Sequence, residues 1–288
     1  MINTRHLASL TAIAEHGSFA AAGSAIGRSH SAISLHIKAL EEELGTRLVD
    51  RSVRPAVLTA DGEALAAQAG RLQRVLDDIR SIGHGADITG QLSVGIVPTV
   101  MSHLAPPALS RLTTQHPQLR LDIRTGLSGE LAFAVRGGDL DAAILTAPDL
   151  APEDLVARPI ADEPLVVIAP PDTPTDGDAA LLQQLPFIWF SRKTWAGQQI
   201  ERRLLDRRIR VRPSMEIDNL DAIVQLVRHG LGVAIVPDTG PDLEGLTKVP
   251  FCDPQMARPI ILIARPGGPS VRLVEALHAA FVDVAGQP

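Results

Sequence analysis

Cysteine occurs once in the 288 residues, at Cys252. That excludes an internal disulfide and a cysteine-rich zinc site, and it fits a reducing compartment. Long apolar runs are also missing: no stretch reaches the ~18 consecutive apolar residues that a membrane-spanning helix needs. The first 20 residues interrupt their apolar positions with Arg5, His6, Thr11, Glu15 and His16, which is not the pattern of a signal-peptide core. A cytoplasmic location with no membrane partner is therefore expected. Catalytic signatures are absent too. There is no His/Glu pair at metal-binding helical spacing, no phosphate loop and no Gly-x-Ser-x-Gly. Gly230-Leu231-Gly232 lacks the third glycine and the preceding strand of a dinucleotide fingerprint. No catalytic residue, metal ligand or cofactor is assigned, and the chain is read as a non-enzyme. A lone thiol in Phe251-Cys252-Asp253-Pro254, without a resolving partner or base, is read as inert and not as a redox sensor.

Excess positive charge is the last thing lacking. The formal net charge is −6, which argues against nonspecific nucleic-acid binding by the whole chain. The charge is unevenly spread, however. Residues 1–60 carry six basic groups against five acidic ones, so the head is +1 and the remainder −7. Phosphate contacts would then be few per protomer, and nucleic-acid binding would depend on dimerisation.

Against these absences, one stretch stands out. Ser29 is a good N-cap, and behind it Ile33, Ile37, Leu40 and Leu44 recur at helical spacing on one apolar stripe. The opposite stripe carries Ser31, Ser34, Leu35 and Lys38, a small, hydroxylated and singly basic face. An Ala-rich segment from Phe19 to Ile26 precedes it, and Gly27 breaks the two apart. Short helix, glycine-containing turn and second helix describe a helix-turn-helix; an ordinary helical hairpin is the alternative. Thr4 is placed to cap a first helix ending at Gly17, and Ser18 caps the second. Residues 47–51 and 56–58 then read as two strands around a tip at Ser52-Val53-Arg54-Pro55, where Pro55 suits a hairpin tip. Such a wing would bring Arg51 and Arg54 to phosphates or the minor groove, unless they are only solvated loop charges.

Thr59 looks like the cap of a long helix to about Ile82. Within it Leu65, Ala69, Leu72, Leu76 and Ile79 step by four and three, a coiled-coil seam for a second copy of the chain. Packing of that stripe on its own domain is the competing possibility. Gly83-His84-Gly85 ends the helix, and residues 86–90 read as a linker.

The order of these parts resembles a known family. Ser18-Phe19-Ala20-Ala21-Ala22, the Ser31-Ala32-Ile33-Ser34, Ile37 and Leu40-Glu41 core, Glu42-Glu43-Leu44-Gly45-Thr46-Arg47-Leu48, Asp50-Arg51 and Leu58-Thr59-Ala60-Asp61-Gly62 look like the winged helix-turn-helix head of LysR-type transcriptional regulators. The likeness runs from about residue 4 to 80. Two departures affect base reading: His30 stands where glutamine is frequent, and Leu35-His36 stand where an arginine and a glutamine are common. A direct arginine–guanine contact from position 35 is thus excluded. The resemblance implies DNA contacts by Arg28, Ser29, His30, Ser31, Ser34, Lys38, Arg51 and Arg54.

From Gln91 onward strands and helices alternate, which predicts parallel sheets and a ligand crevice at strand carboxyl ends. Strands are expected at 92–97, 119–125, 139–145, 165–169, 187–190, 215–217, 233–237 and 259–264. Helices are expected at 102–115, 128–136, 195–207, 220–229 and 271–284. This body resembles the family's effector domain, a two-lobed fold similar to periplasmic binding proteins. The fold class is therefore α/β, with an all-α-type winged helix-turn-helix head joined by a long linker helix. The expected divisions are 1–58 for the head, 59–87 for the dimerisation helix, 91–161 plus 266–288 for lobe 1, and 162–265 for lobe 2.

The pocket follows from where strand ends meet helix starts. Pro98, Thr99, Val100, Ser128 and Thr146 from lobe 1 face Arg192, Asn219 and Pro237 from lobe 2. Hydroxyls and free N–H groups there suit a carboxylate or other anion, with Arg192 as its counter-charge. In the blander reading, Thr99 and Ser128 are helix caps and Arg192 is a surface charge. Together these features describe a ligand-responsive, sequence-specific regulator. It would bind an interrupted inverted repeat in double-stranded promoter DNA as a homodimer or homotetramer, under control of a small anionic effector. The rival is a cytoplasmic small-molecule-binding protein whose helical head serves only oligomerisation.

Overall fold

The computed structural model describes residues 2–53, 55–81, 90–149, 153–238, 243–267 and 270–286, and divides the chain into two compact units, 1–90 and 91–288. In the first unit, helix α1 (Thr4–His16) is capped by Asn3 rather than the expected Thr4, Asn3 Oδ1 accepting from Arg5 N at 2.9 Å. Gly17, at φ +70°, closes α1, and Ser18 caps α2 (Phe19–Ala25). A side chain on Gly23 would place its first carbon 2.6 Å from Arg28 O, so the turn into α3 (His30–Leu44) can pass over α2 only at a glycine. The wing strands β1 (Val49–Asp50) and β2 (Val57–Leu58) pair antiparallel, Val49 opposite Leu58. Helix α4 (Ala60–Ser81) follows, with Thr59 Oγ1 accepting from Gly62 N at 3.0 Å.

One core holds this unit together. Leu7, Leu10, Ile13, Phe19, Ile33, Ile37, Leu40, Leu48 and Val49 are buried in it, joined by Ala66 and Ala69 from α4. The seam foreseen for a second copy is therefore divided. Ala69 is buried, and Leu65 packs against the same core. Of the remaining seam residues, one to three turns further on, Leu72 and Ile79 are exposed and Leu76 is half-buried; Val75, beside the seam, is exposed as well. Helix α4 packs on α1, and Leu65, Ala66 and Ala69 are the residues by which it joins the head core.

The second unit begins with β3 (Gly90–Ile96), α5 (Pro98–His103), α6 (Ala105–Gln115), β4 (Leu119–Thr125), α7 (Ser128–Gly137) and β5 (Ala142–Thr146). Then come β6 (Val156–Ala169), α8 (Asp178–Gln184), β7 (Pro186–Phe190), α9 (Trp195–Asp206) and β8 (Arg212–Ile217). The unit closes with α10 (Leu220–Arg228), β9 (Ala234–Pro237), β10 (Thr247–Pro250), β11 (Ala257–Ala264) and α11 (Val271–Ala285). The main sheet has the order β10-β6-β11-β5-β3-β4, with β9 also on β6, while β7 and β8 form a parallel pair. Only part of the sheet is parallel as expected. β3 and β5 are, but β11 runs antiparallel to both β5 and β6.

Two strands thread the lobes, and here the division at 161/162 and 265/266 departs from the strand pairing. β6 is 14 residues long: its first half pairs with β11, and residues 165–169 pair with β9 and β10. β11, foreseen within lobe 2, lies beside β5 of lobe 1 from Ile260 to Ala264. In lobe 2 every second residue faces an opposite side of the sheet, and both sides are buried. Leu165, Val167, Phe187 and Trp189 pack on one side, Val166, Ile168, Ile188 and Phe190 on the other. Continuous apolar strands are what a sheet covered on both faces requires.

Candidate functional site

The first candidate surface is the outer face of α3. Ser29 caps the helix by accepting from Ala32 N at 3.2 Å, and its hydroxyl meets that of Ser31 at 3.0 Å. Arg28, Ser29, His30, Ser31 and Lys38 are exposed on this face, Ser34 is half-buried, and Leu35 is 66% exposed. The His30 ring lies 5.6 Å from Phe19, and Lys38 pairs with Glu42 one turn on at 3.6 Å. His36 leaves this face. Its Nδ1 meets Ser9 Oγ at 2.7 Å, and its ring stacks on His6 at 4.6 Å. Partial burial first, then the charges of His6, Arg28 and Arg5, push its pKa below the usual histidine value.

Glu41 ties the wing to α3. One carboxylate oxygen accepts from Leu48 N at 3.0 Å and Val49 N at 3.2 Å, and the other pairs with Arg51 at 3.0 Å. Arg51 is thus exposed but held at the base of the wing, and Arg54 lies outside the described residues.

The second candidate is a cleft of about 360 Å³, its open mouth included, within the second unit. Strand ends build it: Val97-Pro98-Thr99 after β3, Gly126-Leu127-Ser128 after β4 and Thr146 ending β5. Phe190, Thr194, Ala196 and Asp218 line the opposite side, and Arg258 of β11 lies at the base. Thr99, Ser128 and Thr146 are all buried. Arg258, only 1% exposed, donates from Nη1 to Thr99 Oγ1 at 2.9 Å and from Nε to Glu163 Oε2 at 2.7 Å. Glu163 Oε1 in turn meets His103 Nε2 at 2.8 Å. Burial opposes charge on Glu163, but the His103 hydrogen bond and the Arg258 charge outweigh it and hold the carboxyl below its usual range. Because Arg258 already supplies a donor to Thr99, the threonine's own O–H proton is free to point at an acceptor in the cleft.

Four of the eight residues expected at the pocket line it: Pro98, Thr99, Ser128 and Thr146. The other four do not. Val100 is fully buried behind the wall. Arg192 lies over the Trp189 ring and pairs with Glu216 at 2.9 Å and Glu201 at 3.5 Å. Asn219 spends its side chain capping α10, accepting from Ala222 N at 2.8 Å, while its neighbour Asp218 lines the cleft. Pro237 is buried in β9 opposite Leu165. Arg258 was not foreseen, since Pro259 beside it gave no sign of a buried charge, and its partners lie 95 and 159 residues away. Cys252 is buried outside the cleft, its Sγ 3.6 Å from Arg207, and burial raises its thiol pKa despite the nearby cation. Among the described residues, no cluster of His, Cys, Asp or Glu has metal-binding geometry, and no helix is long and apolar enough to cross a membrane.

Comparison with known proteins assigns both units to known domains. Residues 4–63 match the bacterial regulatory helix-turn-helix protein of the lysR family, and residues 85–286 match the LysR substrate binding domain. A probable hydrogen peroxide-inducible genes activator of Streptomyces viridosporus is 31% identical over 96% of this chain and 92% of its own length. The RuBisCO operon transcriptional regulator of Allochromatium vinosum is 28% identical over 82% and 79%. Among solved structures, a full-length OxyR variant from Pseudomonas aeruginosa shares 25% identity, with a TM-score of 0.74 over 98% of this chain and 95% of that one. CbnR solved with its target DNA shares the fold, with a TM-score of 0.66 at 23% identity over 99% of this chain and 100% of that one. With a capped, exposed α3 beside a wing and a hydroxyl-lined cleft in the body, the chain belongs to the LysR family of DNA-binding transcriptional regulators.

Proposed function

We propose that this regulator reads an interrupted inverted repeat through α3 and its wing, as a dimer or tetramer, and is controlled by a small anionic effector held in the cleft. On the DNA side, His30, Ser31, Ser34 and Lys38 approach the major groove, with Ser29 at the start of the helix, Arg28 and Arg51 on phosphates and Arg54 at the wing. The later seam residues of α4, Leu72, Leu76 and Ile79, pair with a second copy, which doubles the few phosphate contacts that one +1 head can make. On the effector side, the observation that carries the reading is the buried trio Thr99, Ser128 and Thr146, with Arg258 bonded to Thr99. These groups are donors poised for an acceptor, and Arg258 offsets part of its charge.

The peroxide response named for several relatives is not carried over to this chain. No thiol lines the cleft, and Cys252 is buried, outside it and harder to ionise than a free cysteine. The effector is bound reversibly instead, and Cys252→Ser leaves regulation intact. Footprinting upstream of the gene itself and its neighbours tests the whole reading. Protection of two half-sites on one DNA face, altered by added carboxylates and not by peroxide, is the expected result. Absence of any protected inverted repeat would refute it.

A further inference from the structure

We infer that Leu35 is a specificity-determining residue that reads the 5-methyl group of thymine in each half-site; this rests on α3 facing the major groove. An exposed leucine alone means little, because most protein surfaces are more than half apolar. Its setting gives it weight. Leu35 sits one turn after Ser31 and one turn before Lys38, on the same face, and apart from Lys38 its neighbours one turn away are the short Ser31, Ala32 and Ala39. At 66% exposed it projects furthest of the described apolar side chains of α3, whereas Ile33 and Ile37 are fully buried on the opposite face.

The polar alternatives on this helix are partly committed elsewhere. His36 is held by Ser9 and His6, and Lys38 pairs with Glu42; off the helix, Arg51 of the wing is fixed to Glu41. Major-groove base edges present one apolar group, the thymine methyl, and apolar side chains are its partners. Seating Leu35 against that methyl removes both from water, which is worth about fourfold in affinity for one methyl group.

The test uses the duplex that the full-length wild-type chain selects from a randomised pool, with each thymine of the half-site replaced in turn by uracil, which lacks the methyl. For wild type, one uracil position per half-site weakens binding about fourfold. Leu35→Ala and Leu35→Gln bind thymine and uracil equally at that position, with unchanged thermal midpoints. Lys38→Ala binds more weakly overall and keeps the thymine preference. Uracil without effect at every position, or a thymine preference that survives in both Leu35 variants, overturns the inference. If Lys38→Ala still loses affinity in that case, α3 remains the DNA-facing helix and only the Leu35 assignment falls. Failure of any duplex to be selected removes both.

Discussion

His36 and Arg258 show how single side chains carry functions that their neighbours conceal. His36 is neutral by preference in the folded head, since burial and the charges of His6, Arg28 and Arg5 all lower its pKa. Its contribution to stability is complete above the unfolded value of about 6.5 and is lost as pH falls below it toward the folded pKa. The thermal midpoint of the wild-type protein should drop more steeply between pH 7.5 and 5.5 than that of His36→Asn. Equal slopes would show that His36 carries no such linkage. Arg258 poses the reverse problem, a buried cation facing a buried carboxylate. Removing it leaves Glu163 with His103 as its remaining partner, so Arg258→Ala is expected to cost about 3 kcal/mol in denaturant unfolding, the low end for breaking a buried pair. Pairing Arg258→Met with Glu163→Gln should recover most of that loss, because no charge is then left buried. The cap at Ser29 is legible in the chain, as a cap residue declares itself within four positions; Thr99 and Ser128 are not caps but sit in the first turns of α5 and α7, behind Val97 and Leu127. Arg258 is not legible, because everything it touches is distant in sequence.

At the scale of elements, regular pattern and local capping made most of the fold readable. The β6 strand shows the limit. Its first half, Val156-Ala157-Arg158-Pro159-Ile160-Ala161-Asp162-Glu163-Pro164, carries two prolines and three charges, which argue against a strand. It is one nonetheless, because the register with β11 shifts between Ile260 and Ile261, leaving Ile160 out of the ladder next to Pro159. That half of β6 also carries Glu163, the partner of Arg258, so the missed strand and the missed arginine have a common origin. Helix α4 was legible as a helix but not in its division of labour. If its early turns belong to the head and its later turns to a second copy, two classes of variant must behave differently. Leu72→Glu and Ile79→Glu should shift self-association toward monomer, by sedimentation, with helical content and midpoint retained. Ala69→Glu should instead unfold the head, since that position is 3% exposed. Dimer loss with an intact head in all three would place the whole seam between copies.

For the molecule as a whole, regulation requires the cleft and the DNA-facing helix to share a free energy, and linkage fixes its form. An effector that changes DNA affinity by some factor must have its own affinity changed by DNA through the same factor. A typical coupling of about 1–3 kcal/mol corresponds to a factor of roughly 5–150. Thr99→Ala and Ser128→Ala remove donors from the cleft and leave α3 and its cap untouched. Both should bind the operator as wild type does in the absence of effector, and neither should respond when effector is added. Fluorescence anisotropy on an operator duplex, with and without the carboxylate found by footprinting, reads both quantities in one titration. Loss of operator affinity in the effector-free variants would mean that these hydroxyls stabilise the fold and are not the means of control.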